Sequence, residues 1–77
     1  MKIEILGMGC PKCNQLLANA KAAVKELDVR AEIIKVTDIN TITDYGVMIT
    51  PALVIDGKVV AAGKVPGKDE IKRLLTR

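Results

Sequence analysis

Several residue types are scarce or missing in this 77-residue chain, and each absence narrows what the protein can be. Histidine, phenylalanine and tryptophan are absent, Tyr45 is the only aromatic residue, and there are two cysteines. The core must therefore be aliphatic, and no imidazole is available as a base or a metal ligand. Charged residues interrupt every apolar run well before the roughly 18 residues that a membrane-spanning helix needs.

The net charge is small and is spread along the chain. Twelve Lys and Arg residues against nine Asp and Glu residues give +3 at pH 7. A nucleic-acid-binding protein more often shows a clustered basic face or stacking aromatic residues, and neither is visible here. The start, MKIEIL, has a charge inside its apolar segment and does not read as a signal peptide. We therefore expect a cytoplasmic monomer with no nucleic-acid or membrane partner.

Hydrophobic periodicity predicts one domain, 1–77, with seven elements. Alternation and β-branched residues predict strands, and a 3–4 residue spacing of apolar side chains predicts helices. Asp56-Gly57 predicts a tight hairpin turn, and Thr37 or Asp38 is expected to cap a short helix that stops at Gly46. The predicted strands are 2–6, 31–36, 52–55 and 58–62. The first and last predicted helices begin at residues 11 and 68, and the short middle helix carries Ile39, Ile42 and Tyr45.

The predicted order is β-α-β-α-β-β-α, which indicates an α/β fold with a four-stranded mixed sheet flanked by helices. The first two strands are joined through a helix, so they should be parallel with a right-handed crossover. The last two strands should form an antiparallel hairpin. No linker, repeat or low-complexity segment is present.

The two cysteines, Cys10 and Cys13, stand in the segment MGCPKC. Such a pair can pass electrons, hold a metal or close a structural disulfide. A disulfide over four residues restricts the unfolded chain little, so a purely structural role is disfavoured. A structural zinc needs about four ligands, which only a dimer that shares the metal would supply here. A redox-active pair is the favoured interpretation, with no metal site.

The predicted helix start makes the two thiols unlike. Cys10 is expected at the N-cap position, with Pro11 as the first helical residue, where the helix dipole and the nearby Lys12 favour a thiolate. Cys13 falls on the predicted buried face of the same helix. We therefore expect Cys10 to attack a substrate disulfide and Cys13 to resolve the mixed disulfide.

With this element order, CPKC resembles the active-site motif of the thioredoxin/glutaredoxin superfamily, above all its very small archaeal and bacterial members. The resemblance implies a thioredoxin-like fold and a thiol–disulfide oxidoreductase that acts on protein disulfides. It implies no cofactor besides the cysteine pair, and a thioredoxin reductase-type electron donor. The substrate-binding residues it implies, with Gly7 shaping the same surface, are Met8, Gly9, Pro11, Lys12, Thr50, Pro51 and Gly63.

The resemblance also implies a cis peptide bond before Pro51, with Thr50 pairing with the substrate backbone. From the residues alone a trans bond is expected, because only about 5–6% of X-Pro bonds are cis. The stretch AAGKVPG departs from the Gly-Gly with which glutaredoxins help to hold glutathione, so glutathione binding is in doubt. Glu4 has the spacing of the buried acid of thioredoxin, but a charge on an open strand face is the favoured interpretation.

A second resemblance leads to a different function. Gly7, Met8, Cys10 and Cys13 match the G-M-x-C-x-x-C signature of the heavy-metal-associated domain, and soft thiolates suit Cu(I). The alternative function is therefore a soft-metal carrier. That domain runs β-α-β-β-α-β and ends in a strand, whereas this sequence predicts a final helix, so element order favours the thioredoxin-like interpretation.

Overall fold

Four strands and three helices make up the described chain, residues 1–9 and 11–76 of a computed structural model. The predicted element order is confirmed, and most predicted boundaries agree to within one or two residues. The strands are β1 (Lys2–Leu6), β2 (Glu32–Val36), β3 (Ala52–Ile55) and β4 (Lys58–Ala62). The helices are α1 (Pro11–Leu27), α2 (Ile39–Asp44) and α3 (Lys68–Leu75).

The sheet has the strand order β2-β1-β3-β4, so β1 is an inner strand. It pairs parallel with β2 and antiparallel with β3, and Leu6 at its end lies opposite Val36 and Ala52. The hairpin of β3 and β4 turns at Asp56 and Gly57, which both have positive φ, as a type I′ turn requires. The predicted mixed α/β sheet is therefore confirmed.

Two aliphatic clusters cover the two faces of this sheet. On one face, Ile3 and Ile5 of β1 pack with α1 and α3. On the other face, Leu6 packs with Ile42 of α2 and with Val54 of β3. Successive side chains of a strand point to opposite faces, so β1 contributes to both clusters. This places the end of β1, where the cysteine segment begins, on a strand fixed from both sides.

Side-chain hydrogen bonds and ion pairs fix the helix ends. Asp38 is the N-cap of α2 and accepts a hydrogen bond from the Asn40 backbone N–H at 3.0 Å. Glu26 of α1 pairs with Lys68 and with Lys72 of α3, and the Lys68 hydrogen bond is the main cause that lowers the pKa of Glu26. Because these side chains are partly exposed to solvent, the ion pairs orient α3 against α1 but add little to stability.

Replacing Leu16 by alanine is expected to lower the free energy of unfolding by about 2–5 kcal/mol, because Leu16 is completely buried between α1 and the sheet. Urea denaturation followed by circular dichroism measures the loss. The exposed Lys21 on the same helix gives a matched control, since its replacement by alanine should change stability by less than about 0.5 kcal/mol. A loss below about 1 kcal/mol for Leu16→Ala would contradict the packing described here.

Candidate active site

The loop of residues 7–9 carries the chain from β1 to α1. The Gly7 backbone N–H donates a hydrogen bond to the Val36 carbonyl oxygen at 3.0 Å, which extends the pairing with β2 by one residue. Gly9 has a φ of 86°, in the left-handed region that glycine adopts without a steric penalty. Pro11 is the first residue of α1, as predicted. Cys10 lies outside the described residues, so its N-cap position stays a prediction.

Cys13 lies on the buried face of α1, together with Leu16 and Ala20. It is only 2% exposed. A Cβ atom on Gly7 would overlap the Sγ atom of Cys13 and would lie 3.2 Å from its Cβ atom. The close approach of the sulfur to the loop therefore depends on the absence of a side chain at Gly7.

A second segment, Thr50-Pro51, lies beside this contact. The Cβ atom of Thr50 is 4.0 Å from the position that a Gly7 Cβ would occupy, so Thr50 and Cys13 border the same glycine. The peptide bond between Thr50 and Pro51 is cis, and Pro51 is buried. The Pro51 carbonyl oxygen accepts a hydrogen bond from the Gly63 backbone N–H at 2.9 Å, which brings the end of β4 to the site.

Gly63 packs against Ile49, a residue at the site that the sequence analysis did not identify. Its φ is 73°, and a Cβ atom here would lie 2.9 Å from the Cγ2 atom of Ile49. The Ile49 side chain therefore lies directly over Gly63, one residue before Thr50. The sequence signal was weak, because the segment from Val47 to Thr50 has no periodicity that assigns a face to each residue.

Three large apolar side chains on the two segments that meet at Gly7 are exposed, and we call them the apolar rim: Met8, Met48 and Ile49. Met8 is 63% exposed, Met48 is 92% exposed and Ile49 is 64% exposed. Met8 follows Gly7 and Ile49 precedes Thr50, so these two flank the glycine that touches Cys13. Among the expected substrate-binding residues, Gly9, Pro11 and Lys12 are also exposed. Large apolar side chains exposed on the segments beside a buried cysteine favour an interaction site here.

Glu4 is buried, so the expectation of a charge on an open strand face is wrong. It is 5% exposed, because α2 covers this face of β1 and brings Tyr45 over the carboxylate. The Tyr45 hydroxyl donates a hydrogen bond to Glu4 Oε1 at 2.8 Å, and Lys2 Nζ lies 3.7 Å from the same oxygen. This hydrogen bond is the main cause that raises the pKa of Tyr45. Two sequence signals pointed to this burial: the thioredoxin-like spacing of Glu4 before Cys10, and a lone aromatic residue beside the predicted helix end.

The fold and the site together define a class: a small α/β protein in which the second cysteine of a C-x-x-C segment after an inner strand and a Thr-Pro segment border the same glycine. A family model described as thioredoxin domain matches residues 1–76, and the chain belongs to this family. The predicted relationship to small thioredoxin-like proteins is thereby confirmed.

Two archaeal relatives agree with this assignment. A thioredoxin from Methanocaldococcus jannaschii is 51% identical over 73 residues, which cover 95% of this chain and 84% of the relative. A thioredoxin from Methanothermobacter thermautotrophicus is 42% identical over 76 residues, which cover 99% of each chain.

The observed element order differs from that of the heavy-metal-associated domain from the fourth element onward. The observed order ends in the helix α3, whereas that domain ends in a strand. In residues 1–9 and 11–76, no group of three or more metal-ligating side chains is placed to hold an ion. The same residues include no helix long and apolar enough to cross a membrane.

Proposed function

We propose that the protein reduces disulfide bonds in other proteins, with Cys10 and Cys13 cycling between a dithiol and a disulfide. The observation that carries this proposal is the position of Cys13, whose sulfur packs against Gly7 beside Thr50-Pro51 in a thioredoxin-family fold. This arrangement puts a buried sulfur behind an exposed loop. A pair with one accessible and one protected thiol is what stepwise disulfide exchange requires.

The reaction proceeds in two exchanges. The Cys10 thiolate attacks one sulfur of the substrate disulfide, forms a mixed disulfide and releases the other substrate sulfur as a thiolate. Cys13 then loses its proton and attacks the Cys10 sulfur, which forms the Cys10–Cys13 disulfide and releases the second substrate thiol. The substrate gains two electrons, and a thioredoxin reductase-type donor returns two electrons to the pair. No further cofactor enters the cycle.

The assignment of the two roles rests on accessibility and charge. A protein disulfide cannot reach Cys13, which is 2% exposed, so the first attack falls to Cys10. The expected N-cap position would place Cys10 at the positive end of α1, with the exposed Lys12 nearby, and both favour the thiolate. The buried Cys13 is left for the second exchange, within the mixed disulfide.

The substrate surface consists of the exposed loop, the Thr-Pro segment and the apolar rim. We assign the substrate contacts to Met8, Gly9, Pro11, Lys12, Thr50, Pro51 and Gly63, and we add Met48 and Ile49. The Thr50 backbone pairs with the extended chain next to the substrate cysteine, while the rim covers its apolar side chains. We further propose that the protein works in the cytoplasm as a monomer.

Reduction of insulin by dithiothreitol, followed by the turbidity of the released chains, tests the proposed function. The protein is expected to accelerate the reaction at catalytic concentration, and the same protein with both cysteines alkylated should not. Equal rates for the two forms would contradict the proposal. If the reduced protein then retained one equivalent of Cu(I) that either cysteine variant loses, the soft-metal carrier would be the better account.

Replacing Met48 by serine is expected to raise the KM for a protein disulfide about threefold to tenfold, because the rim loses an apolar contact with the substrate. Stability should change by less than about 0.5 kcal/mol, since Met48 is 92% exposed. Reduction of a small aromatic disulfide, which is too short to cover the rim, serves as the control and should keep its rate. An unchanged KM for the protein substrate would remove Met48 from the substrate surface.

A further inference from the structure

All the methionines of this protein are exposed to solvent, which is unusual for an apolar residue type. The chain has three, and all three are exposed: Met1 by 47%, Met8 by 63% and Met48 by 92%. Methionine is more often a buried residue that fills gaps in a core. Here the two described cores contain no methionine, and two of the three thioethers stand in the apolar rim.

We propose that Met8 and Met48 are oxidation sites, and that their conversion to sulfoxides weakens the docking of protein substrates. The inference rests on the proposed function, because it concerns the surface that the substrate would cover. The oxidant is a peroxide. One oxygen atom passes from the peroxide to the thioether sulfur, which is oxidised by two electrons, and the peroxide is reduced to water or an alcohol.

Accessibility favours the thioethers as targets on this surface. A peroxide must reach the sulfur directly, and the Met48 side chain is almost fully solvated. Cys13, in contrast, is shielded by α1 and the loop, and the cysteine pair has no thiolate to offer when it is in its disulfide form. When the cysteine pair is in its disulfide form, the exposed thioethers of Met8 and Met48 are therefore the sulfur atoms on this surface that a peroxide can oxidise.

The two kinds of sulfur chemistry differ in how they are reversed. The Cys10–Cys13 disulfide is restored by thiol–disulfide exchange, whereas a methionine sulfoxide needs a dedicated sulfoxide reductase. Oxidation of the rim would therefore persist after the cysteine pair has been reduced again. It would lower the efficiency toward protein substrates while leaving the dithiol intact.

The expected effect follows from the change in polarity. Oxidation to the sulfoxide makes the methionine side chain polar. Covering that side chain with a substrate then no longer removes apolar surface from water. For two methionines that are partly covered by the substrate, the KM for a protein disulfide should rise about fivefold to tenfold. The kcat should change little, because neither thioether takes part in the exchange steps.

The experiment treats the whole protein with hydrogen peroxide, reduces the cysteines again with dithiothreitol and removes the reagents. Mass spectrometry of peptides then measures oxidation at each of the three methionines. The KM for insulin and the rate with a small aromatic disulfide are compared with those of the untreated protein. The same treatment is applied to the double variant Met8→Leu/Met48→Leu, which is compared with its own untreated form.

The proposal predicts that Met48 and Met8 are oxidised at least as fast as Met1, and that the KM of the natural protein rises while its small-disulfide rate does not. The double variant, which keeps Met1, should show no rise in KM after peroxide. An unchanged KM in the fully oxidised natural protein would overturn the proposal, and so would an equal rise in the double variant. If the untreated protein failed to reduce insulin, that result would contradict the proposed function and would be visible before any peroxide is added.

Discussion

The Cys10→Ser variant is expected to lose disulfide reduction by about a thousandfold or more, because a serine hydroxyl is not ionised near neutral pH and does not displace a sulfur from a disulfide. The turbidity of reduced insulin gives the rate of disulfide reduction. The rate with dithiothreitol alone, without the protein, is the lowest rate that the assay can distinguish. Since the predicted position of residue 10 is at a helix N-cap, where serine is favoured, the variant should remain folded.

The matched control is Cys13→Ser, which should also stop turnover but at a later step. Its Cys10 thiolate can still attack, so the variant should accumulate a mixed disulfide with its substrate that mass spectrometry detects. The Cys10→Ser variant should form none. If Cys10→Ser reduced insulin at the full rate, or if the two variants trapped substrate equally, the division of roles proposed here would be wrong.

The Gly7→Ala variant is expected to lose about 1–3 kcal/mol of stability and to displace the sulfur of Cys13. The added methyl group would overlap Sγ and approach the Cys13 Cβ atom to 3.2 Å, and both groups are held in a packed interior. Urea denaturation measures the stability. The rate at which Cys13 is alkylated in the folded, reduced protein measures the displacement, and it should increase.

Gly67→Ala provides the comparison for this substitution. Gly67 is the N-cap of α3 with a φ of −74°, and a methyl group there would meet open space. The change should cost less than about 1 kcal/mol, which is the capping preference alone, and should leave the alkylation of Cys13 unchanged. Equal behaviour of the two alanine variants would contradict the close contact between Gly7 and Cys13.

Most of the fold could be predicted because local patterns determine it. Alternation in KIEIL, the 3–4 spacing after Pro11 and the Asp56-Gly57 turn each fix an element from a few neighbouring residues. The parallel pairing of β1 and β2 then follows from the handedness of the crossover. These features need no knowledge of distant contacts, and they agree with the structure.

The burial of Glu4 could not be predicted in the same way. A charged residue within an alternating strand looks like the solvent side of a sheet, and this pattern holds only if nothing covers that face. Tyr45 covers it, yet Tyr45 is 41 positions away in the sequence. The contact depends on how α2 packs across β1, which hydrophobic periodicity does not encode.

At the site, too, the features that depend on neighbouring residues could be predicted, and the contacts between residues far apart in the sequence could not. The spacing after Pro11 correctly indicated a buried face for Cys13. The packing of its sulfur against Gly7, and of Ile49 against Gly63, depends on three loops meeting at one end of the sheet. Met48 and Ile49 were therefore missed, because an apolar residue in an aperiodic segment gives no sign of whether it is buried or exposed.

The most direct test of the central claim is the pH dependence of alkylation of the reduced, metal-free protein, with each cysteine followed separately by mass spectrometry. The account predicts that Cys10 reacts half-maximally at a pH well below about 8.5, the usual value for a cysteine thiol, while Cys13 stays protected. If both cysteines react alike and with an ordinary pH dependence, the attacking and resolving roles do not exist, and the proposed disulfide exchange is contradicted.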